Sequence, residues 1–135
     1  MGFRKKERVQ LKTPEQIECM RIAGKVVAET LETLRINVTP GITTGELDVI
    51  ARECIFSSGA TPSFLGYYGF PAVICTSINE EVVHGIPGDK VIAEGDLISI
   101  DCGAIVEGWH GDAAISIIAS TNPQPTIQKL SDVTR

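Results

Sequence analysis

Two aspartates, Asp101 and Asp112, each lie in an apolar segment of this sequence, and they constrain its fold more than any other feature. Asp101 follows the run Leu-Ile-Ser-Ile, and Asp112 precedes Ala-Ala-Ile. A carboxylate that loses its hydration inside a strand is costly unless a positive charge compensates for the loss. One turn between the two segments brings both carboxylates together. The pattern therefore predicts a β-hairpin that offers a pair of ligands to divalent metal.

The position of the turn decides how the two aspartates meet. With a tight loop at Val106 and Glu107, Asp101 lies opposite Asp112, and directly opposed Cβ atoms are about 4.5–5.5 Å apart. A longer or bulged loop makes the two residues diagonal neighbours, still within reach of a shared ion. The alternative without metal is that each aspartate caps a turn through its own backbone. This alternative fits Asp112, which follows Gly111, better than it fits Asp101.

Composition and charge limit the class of protein. Of the 135 residues, 43% are hydrophobic and 21% are charged, which is ordinary for one globular domain with its own core. The formal net charge of -5 argues against a broad surface for DNA or RNA. Residues 1–12 form a short tail that begins with a basic cluster, Arg4, Lys5, Lys6 and Arg8. We expect a solvated tail, and contact with a polyanion such as RNA is the alternative.

The cysteines and the apolar segments indicate where the protein works. Cys19, Cys54, Cys75 and Cys102 are scattered and form no C-x-x-C pair. This spacing predicts reduced thiols in a cytoplasmic protein, rather than disulfides or a zinc site. No apolar run follows the basic start, so we expect no secretory signal, and no segment is long enough to span a membrane.

Two helices are predicted in the first half of the chain. Thr13 is followed by Pro14 and then by Gln16, which is a capping box, and Thr43 with Glu46 repeats the pattern. Apolar residues then recur at steps of three and four, as on one face of a helix. The expected buried faces are Ile17, Met20, Gly24, Val27, Leu31 and Leu34 in the first helix, and Leu47, Ile50, Ala51, Cys54 and Ile55 in the second.

After Gly59 the periodicity changes to short β-like runs separated by turn residues. We expect strands at residues 72–78, 82–83, 96–105 and 112–119. Two helices followed by a mostly antiparallel sheet give an α+β fold over residues 13–135. Ile127, Leu130 and Val133 then begin a third helical pattern, which reaches the last residue without a stop signal. We expect the chain to end inside a larger domain, with a frayed tail as the alternative.

Both histidines lie close to turns. His84 stands between an apolar pair, Val82 and Val83, and a turn at Gly85. We expect its ring to point from a strand end into a cavity, where it can hydrogen-bond a substrate carbonyl or transfer a proton. The alternative is a core histidine bonded to a backbone carbonyl. We expect His110, at the hairpin turn, to orient Asp112 without contacting the metal.

The segment 64–71 concentrates aromatic residues, although only 5% of the chain is Phe, Trp or Tyr. Phe64, Tyr67, Tyr68 and Phe70 all fall within it. One interpretation is a loop packed on the core. The functional interpretation is an apolar pocket wall that admits an unbranched, polarisable side chain, with Cys75 on the same wall.

Three segments taken together resemble type I methionine aminopeptidase, the metallo-exopeptidase that removes the initiator methionine from new proteins. Residues 77–87, S-I-N-E-E-V-V-H-G-I-P, resemble the family's N-E-x-V-x-H-G-I-P segment. Residues 95–104 resemble its G-D-x-x-x-x-D strand, and residues 108–113 resemble its G-x-H/Y-G-D turn. The first predicted helix also fits, so the resemblance covers essentially the whole chain. The lack of an N-terminal zinc-binding extension resembles the bacterial form.

The resemblance implies the pita-bread fold, with residues 13–135 as the first half of a catalytic domain and a dinuclear metal site between the two halves. It implies that Asp101 binds one divalent ion and that Asp112 bridges two, the metal being Co, Mn, Fe or Zn. It also implies that His84 is catalytic and contacts the substrate. The methionine pocket is then lined by Tyr67, Phe70 and Cys75. The family's other ligands, one His and two Glu, belong to the second half, with a second substrate-contacting His.

The implied activity is hydrolysis of the first peptide bond of nascent polypeptides by a metal-activated water, in the cytoplasm and close to the ribosome. We expect the 135-residue chain alone to be inactive, because two carboxylates do not fill the coordination of two metal ions. A missing C-terminal half or a second copy of the chain would complete the site. The alternatives are another pita-bread peptidase, such as a proline-specific one, and a non-enzymatic half-fold that binds a partner or self-associates.

Overall fold

The computed structural model describes residues 9–135, so the basic cluster of the predicted tail lies outside the described residues. The elements are α1 (Pro14–Asn37), α2 (Thr44–Ser57), β1 (Thr61–Pro62), a short 3-10 turn (Tyr67–Gly69), β2 (Ile74–Ile78), β3 (Leu97–Val106), β4 (Trp109–Ile118) and α3 (Pro125–Val133). The predicted order of two helices followed by an antiparallel sheet is confirmed. Within residues 9–135, no helix combines the length and the apolar character needed to cross a membrane.

Both long helices begin at the predicted capping boxes. Thr13 Oγ1 accepts the Gln16 N–H at 3.3 Å, and Gln16 Oε1 accepts the Thr13 N–H at 2.9 Å. Thr43 and Glu46 make the same pair of bonds at 3.1 and 2.8 Å. Each such cap contributes about 1 kcal/mol to helix stability. The local sequence therefore fixes where α1 and α2 start.

The predicted buried face of α1 is correct only in its second half. Val27, Leu31 and Leu34 are buried in the core, whereas the side chains of Ile17 and Met20 are 46% and 37% exposed. Both exposed residues belong to the first turns of α1, near the hairpin end of the sheet. Cys19 Sγ already lies 3.6 Å from Glu107 Oε2 at the tip of the β3–β4 hairpin. The first turns of α1 therefore reach the end of the sheet.

The four strands form one antiparallel sheet with β3 at its centre. β2 and β1 pair with one edge of β3, and β4 pairs along the whole of the other edge. The β3–β4 turn consists of Glu107 and Gly108, with φ angles of 49° and 83°. Positive φ at both positions is typical of a type I′ turn, which suits the twist of two adjoining strands. The strand expected at residues 82–83 is wrong, since Val82 and Val83 lie exposed in a loop.

The two faces of the sheet have different neighbours. One face packs against α1 and α2 and forms the core, with Ile74, Ile98 and Ile100 completely buried. On this face the backbones of β4 and α1 approach closely. A Cβ added to Gly111 would lie only 2.5 Å from the backbone nitrogen of Gly24. The opposite face, here called the site face, carries the alternate residues of the same strands: Cys75, Ser77, Ser99, Asp101, Gly103, His110, Asp112, Ala114 and Ser116.

Candidate active site

The two predicted carboxylates lie on the site face of the hairpin. Because the turn is at Glu107 and Gly108, Asp101 pairs with Ala114, and Asp112 pairs with Gly103. The expectation of directly opposed aspartates is therefore wrong. The two residues are diagonal neighbours, as in the alternative, but through a tight turn shifted by one residue and not through a longer or bulged loop. Diagonal neighbours remain within reach of long side chains and of a shared ligand. The alternation of the strands thus presents both carboxylates to the same side of the sheet.

The electrostatic environment of Asp101 disfavours its charge. Desolvation by burial raises the pKa of this half-buried carboxyl above its ordinary value, and the nearby charge and hydrogen bond of Asp112 raise the pKa further. The His84 ring and the Cys102 amide act in the opposite direction. Two carboxylates so close together repel each other, and a divalent cation between them relieves the repulsion.

His84 reaches this region from a loop rather than from a strand end. Its backbone is left-handed, with a φ angle of 65°. The next residue, Gly85, docks against the free edge of β2: its carbonyl accepts the Thr76 N–H at 3.0 Å, and its N–H donates to Ser77 Oγ at 3.3 Å. A Cβ on Gly85 would lie 1.9 Å from the Thr76 carbonyl oxygen. Only glycine allows this approach, so Gly85 fixes the position of His84 beside the carboxylates.

The aromatic segment forms a loop that projects over the site face. Gly66, Tyr68 and Gly69 all have positive φ, between 46° and 81°. The rings of Phe64 and Phe70 meet edge to face, with centroids 6.5 Å apart. The rings of Tyr67 and Tyr68 meet in the same way at 4.6 Å and are largely exposed. The loop therefore presents an apolar wall instead of packing all its rings into the core.

Cys75 lies directly opposite Asp101 in the β2–β3 pairing and is buried. Desolvation raises the pKa of its thiol to about 11, and the charges of Asp101 and Asp112 add to the effect. Cys75 is therefore a neutral thiol at physiological pH, suited to an apolar wall and not to nucleophilic attack. All four cysteines are free in the structure.

A cleft of about 530 Å³ brings these features together. Six of the seven predicted site residues line it, and only His110 does not. The full lining is Phe64, Tyr67, Tyr68, Gly69, Phe70, Pro71, Cys75, His84, Ile86, Asp101 and Asp112. The cleft thus has an apolar wall on one side and two carboxylates with a histidine on the other.

His110 lies on the site face but has a different partner from the one expected. Its Nδ1 atom lies 2.9 Å from Ser63 Oγ, in the segment that leads into the aromatic loop. Within the described residues, none of its hydrogen bonds reaches Asp112. Ser63 is a residue that sequence reasoning missed, because its contact with His110 joins segments far apart in the chain.

A buried aspartate on α2 supports the strand that carries Cys75. Asp48, on α2, accepts the N–H groups of Val73 and Ile74 through Oδ1, at 2.8 and 3.1 Å. These bonds hold the start of β2, the strand that carries Cys75. The helical spacing of α2 gave no signal for this role, which only the contact with β2 reveals.

The donor set fits part of a divalent metal site. Asp101 and Asp112 offer oxygen ligands, which suit divalent cations, and their mutual repulsion favours a cation between them. Within residues 9–135, no group of three or more His, Cys, Asp or Glu side chains is placed to hold an ion. The described residues therefore supply two ligands, and further ligands would have to come from elsewhere.

The similarity to known proteins agrees with this interpretation of the site. The model of metallopeptidase family M24 matches residues 18–135. The chain belongs to metallopeptidase family M24. The expected resemblance to methionine aminopeptidase is also confirmed, because relatives that are 55% and 57% identical to this chain carry that name. Metallopeptidases of this family work with divalent metal, in agreement with the carboxylate pair on the site face.

Three relatives show how much of an M24 protein this chain represents. It is 55% identical over 104 residues to methionine aminopeptidase of Clostridium perfringens, covering 77% of this chain and 42% of that protein. It is 57% identical over 102 residues to methionine aminopeptidase 1 of Mycobacterium tuberculosis, covering 75% and 38%. The crystal structure of methionine aminopeptidase from Thermotoga maritima superposes with a TM-score of 0.91 at 40% identity, covering 95% and 51%. The chain therefore spans about half the length of the relatives that it matches, or less.

Proposed function

We propose that residues 13–135 form the first half of the catalytic domain of a methionine aminopeptidase, which removes the initiator methionine from nascent polypeptides in the cytoplasm. The observation that carries the proposal is the cleft in which Asp101, Asp112 and His84 face the aromatic wall. Its support is the similarity to proteins of that name over most of this chain. The rest of the site would come from a segment comparable to the remainder of those relatives, or from a second copy of the chain.

Each side chain has a distinct role in this proposal. Asp101 and Asp112 would hold divalent metal, two ions in the complete site, and the bound metal would supply Lewis acidity at the peptide bond to be cut. Tyr67, Phe70 and Cys75 would surround the methionine side chain and exclude water from it. His84 would donate a hydrogen bond to the carbonyl oxygen of the scissile bond or to the departing nitrogen. His110 would act only indirectly, through Ser63.

The decisive experiment supplies the part of a relative that this chain does not match. A chimera joins this chain to the part of the Clostridium perfringens relative that the chain does not match, and is assayed with Met-Gly peptides in the presence of Co²⁺ or Mn²⁺. We expect release of methionine. Asp101→Asn and Asp112→Asn should each lower kcat/KM by more than the roughly 10–100-fold that follows loss of an outer hydrogen-bond partner of a ligand. Glu53→Gln, an exposed change on α2, is the matched control and should leave kcat/KM unaltered.

Other outcomes would assign other functions. Cleavage of Xaa-Pro peptides but not of Met-Gly peptides would indicate a proline-specific peptidase. A folded, metal-loaded chimera without any peptidase activity would indicate a binding module. His84→Ala in the active chimera should lower kcat more than it raises KM, and an unchanged kcat would remove its role in the transition state.

Metal titration of the 135-residue chain separates the two ways of completing the site. We expect weak binding of Co²⁺ or Mn²⁺ by calorimetry, because two carboxylates leave most coordination positions to water. Tight binding of two ions per chain, together with a dimer in analytical ultracentrifugation, would show that a second copy supplies the missing ligands.

A further inference from the structure

Gly103 occupies the position on β3 directly opposite Asp112, on the site face. It is buried, and the space that a side chain would need there is already filled. A Cβ on Gly103 would lie 2.8 Å from Ser63 Cβ and 3.0 Å from Cε1 of the Phe64 ring. Because Gly103 has no side chain, Ser63 and Phe64 can occupy this space.

Ser63 is held in that place by both strands of the hairpin. Its N–H donates to the carbonyl oxygen of Gly103 on β3, at 3.0 Å. Its Oγ lies 2.9 Å from His110 Nδ1 on β4. The residue that precedes the aromatic loop is thus bonded to the two strands that carry Asp101 and Asp112.

This arrangement links the apolar wall to the carboxylates. Phe64 follows Ser63, rests on Gly103 and contacts Phe70 edge to face. Both rings line the cleft, together with Asp112. A shift of Ser63 would therefore move Phe64 relative to the carboxylates and change the space that remains for a substrate side chain.

From these contacts we propose that Gly103, Ser63 and His110 are positioning residues, which set the Phe64 ring and so determine the size of the apolar side chain that the cleft accepts. The inference rests on the proposed aminopeptidase function. It assigns to His110 a role in positioning the apolar wall instead of a role in orienting Asp112. Phe64 and the two carboxylates line one cleft. In this proposal the space between them would take a long, unbranched side chain, and an added methyl group at position 103 would reduce that space.

The first test uses the chimera described above. Gly103→Ala should raise KM for a Met-Gly peptide about tenfold while kcat changes less than about twofold, since the wall contributes to binding and not to the chemical step. The double variant Gly103→Ala/Phe64→Leu should recover most of the lost affinity, because the smaller side chain yields to the new methyl group. Gly88→Ala is the matched control, since a Cβ on Gly88 meets nothing within 4 Å.

The hydrogen bond between Ser63 and His110 is tested in the same way. Ser63→Ala and His110→Ala should each raise KM and weaken discrimination between Met and Leu at the substrate N-terminus. The combination of both changes should cost no more than either alone. His110→Gln, whose side-chain amide can also bond Ser63 Oγ, should restore part of the discrimination. Independent, multiplicative effects of the two alanine changes would overturn the proposal, as would a loss of kcat with unaltered KM.

A second measurement does not depend on activity. In the 135-residue chain, Gly103→Ala should lower the melting temperature, and adding Phe64→Leu should recover much of that loss. Additive losses would show that Phe64 does not rest on Gly103 and would overturn the positioning role. If the parent chimera is inactive, the proposed function fails together with the specificity role, while the melting temperatures still decide whether Gly103 sets the position of Phe64.

Discussion

Asp101 and Asp112 are diagonal neighbours on the site face, since Asp112 lies opposite Gly103, two residues along β3 from Asp101. This relationship places two acidic groups on one side of a sheet whose other side is the hydrophobic core. The consequence is a local conflict between charge and burial, which raises the pKa of Asp101. A divalent cation bound by both carboxylates would resolve the conflict.

Asp101→Asn should therefore have opposite effects on stability and on metal binding. A raised pKa means that the folded chain holds the proton more tightly than the unfolded chain, so the charged form destabilises the fold. In the metal-free chain, stability should fall as the pH rises from the ordinary value of 3.8 through the higher folded value. At neutral pH, Asp101→Asn should raise the free energy of unfolding by up to about 1 kcal/mol, a modest gain because the group is partly exposed.

The same variant should bind Co²⁺ or Mn²⁺ more weakly than the original chain. Urea unfolding with EDTA and calorimetric titration with metal measure the two effects, and Glu53→Gln serves as the control for both. A variant that loses stability without metal would contradict the repulsion between the two carboxylates.

Gly85→Ala should displace His84 and destabilise the chain. The new methyl group would overlap the Thr76 carbonyl oxygen, so the loop must leave the edge of β2 and give up the bond from Thr76 N–H to the Gly85 carbonyl. Overpacking typically costs about 1–3 kcal/mol, and a lost hydrogen bond about 1 kcal/mol more. Urea unfolding measures the loss, and a shift of the His84 ring signals in NMR spectra reports its displacement. Gly88→Ala, in the same loop, should change neither.

Two glycines that meet where α1 packs directly on β4, Gly24 and Gly111, should respond to alanine with opposite signs. Gly111→Ala would place a Cβ 2.6 Å or less from the backbone of α1 at Ala23 and Gly24, and neither backbone can move cheaply. We expect a loss of about 1–3 kcal/mol in the free energy of unfolding. Gly24→Ala meets nothing within 4 Å outside its own helix and should gain about 0.5–1 kcal/mol from helix propensity. Equal effects of the two changes would contradict the close packing of α1 on β4.

Acid should weaken the turn that leads into β3. Asp96 accepts the Ala93 N–H and the Asn79 side-chain amide, each at 2.8 Å, and these bonds lower the pKa of its carboxyl below the ordinary 3.8. A lowered pKa stabilises the fold above pH 3.8, and the contribution is lost as the pH falls towards the folded value. Asp96 is partly exposed to solvent, and screening by water reduces the effect, so we expect less than about 1 kcal/mol.

Urea unfolding over an acidic pH series measures this contribution. Asp96→Asn should remove the acid-dependent loss, while Asp89→Asn, in the preceding loop, should leave it in place. An identical pH profile for the Asp96→Asn variant would contradict the role of the two hydrogen bonds.

Sequence reasoning succeeded where the determinants were local. The capping boxes at Thr13 and Thr43 located both long helices, and the alternation around Asp101 located the central strand. The register of the hairpin was not predicted, because the tight loop was expected at Val106 and Glu107, one residue before the observed turn, and the alternative was a longer or bulged loop. Gly108 indicates the observed turn at Glu107 and Gly108, since a glycine at the second position of a two-residue turn favours the type I′ geometry.

The rest of the site depends on contacts between distant parts of the chain. His84 is positioned by Gly85 on the edge of β2, and the apolar wall is positioned by Ser63, which lies 47 residues from its partner His110. Amphipathic spacing identifies the face of a helix that can be buried, but not what covers it. Ile17 and Met20 illustrate the difference, because they continue the apolar spacing of α1 and yet remain partly exposed.

The two-residue turn at Glu107 and Gly108 also affects the order in which the site forms. It closes a short loop, so bringing Asp101 to Asp112 costs little chain entropy, and hairpins of this kind form in about 1–10 μs. His84 and the aromatic wall require strands and loops that are distant in sequence, and such contacts form more slowly. During folding, the hairpin can therefore bring its two acidic groups together transiently before the rest of the cleft has assembled around them.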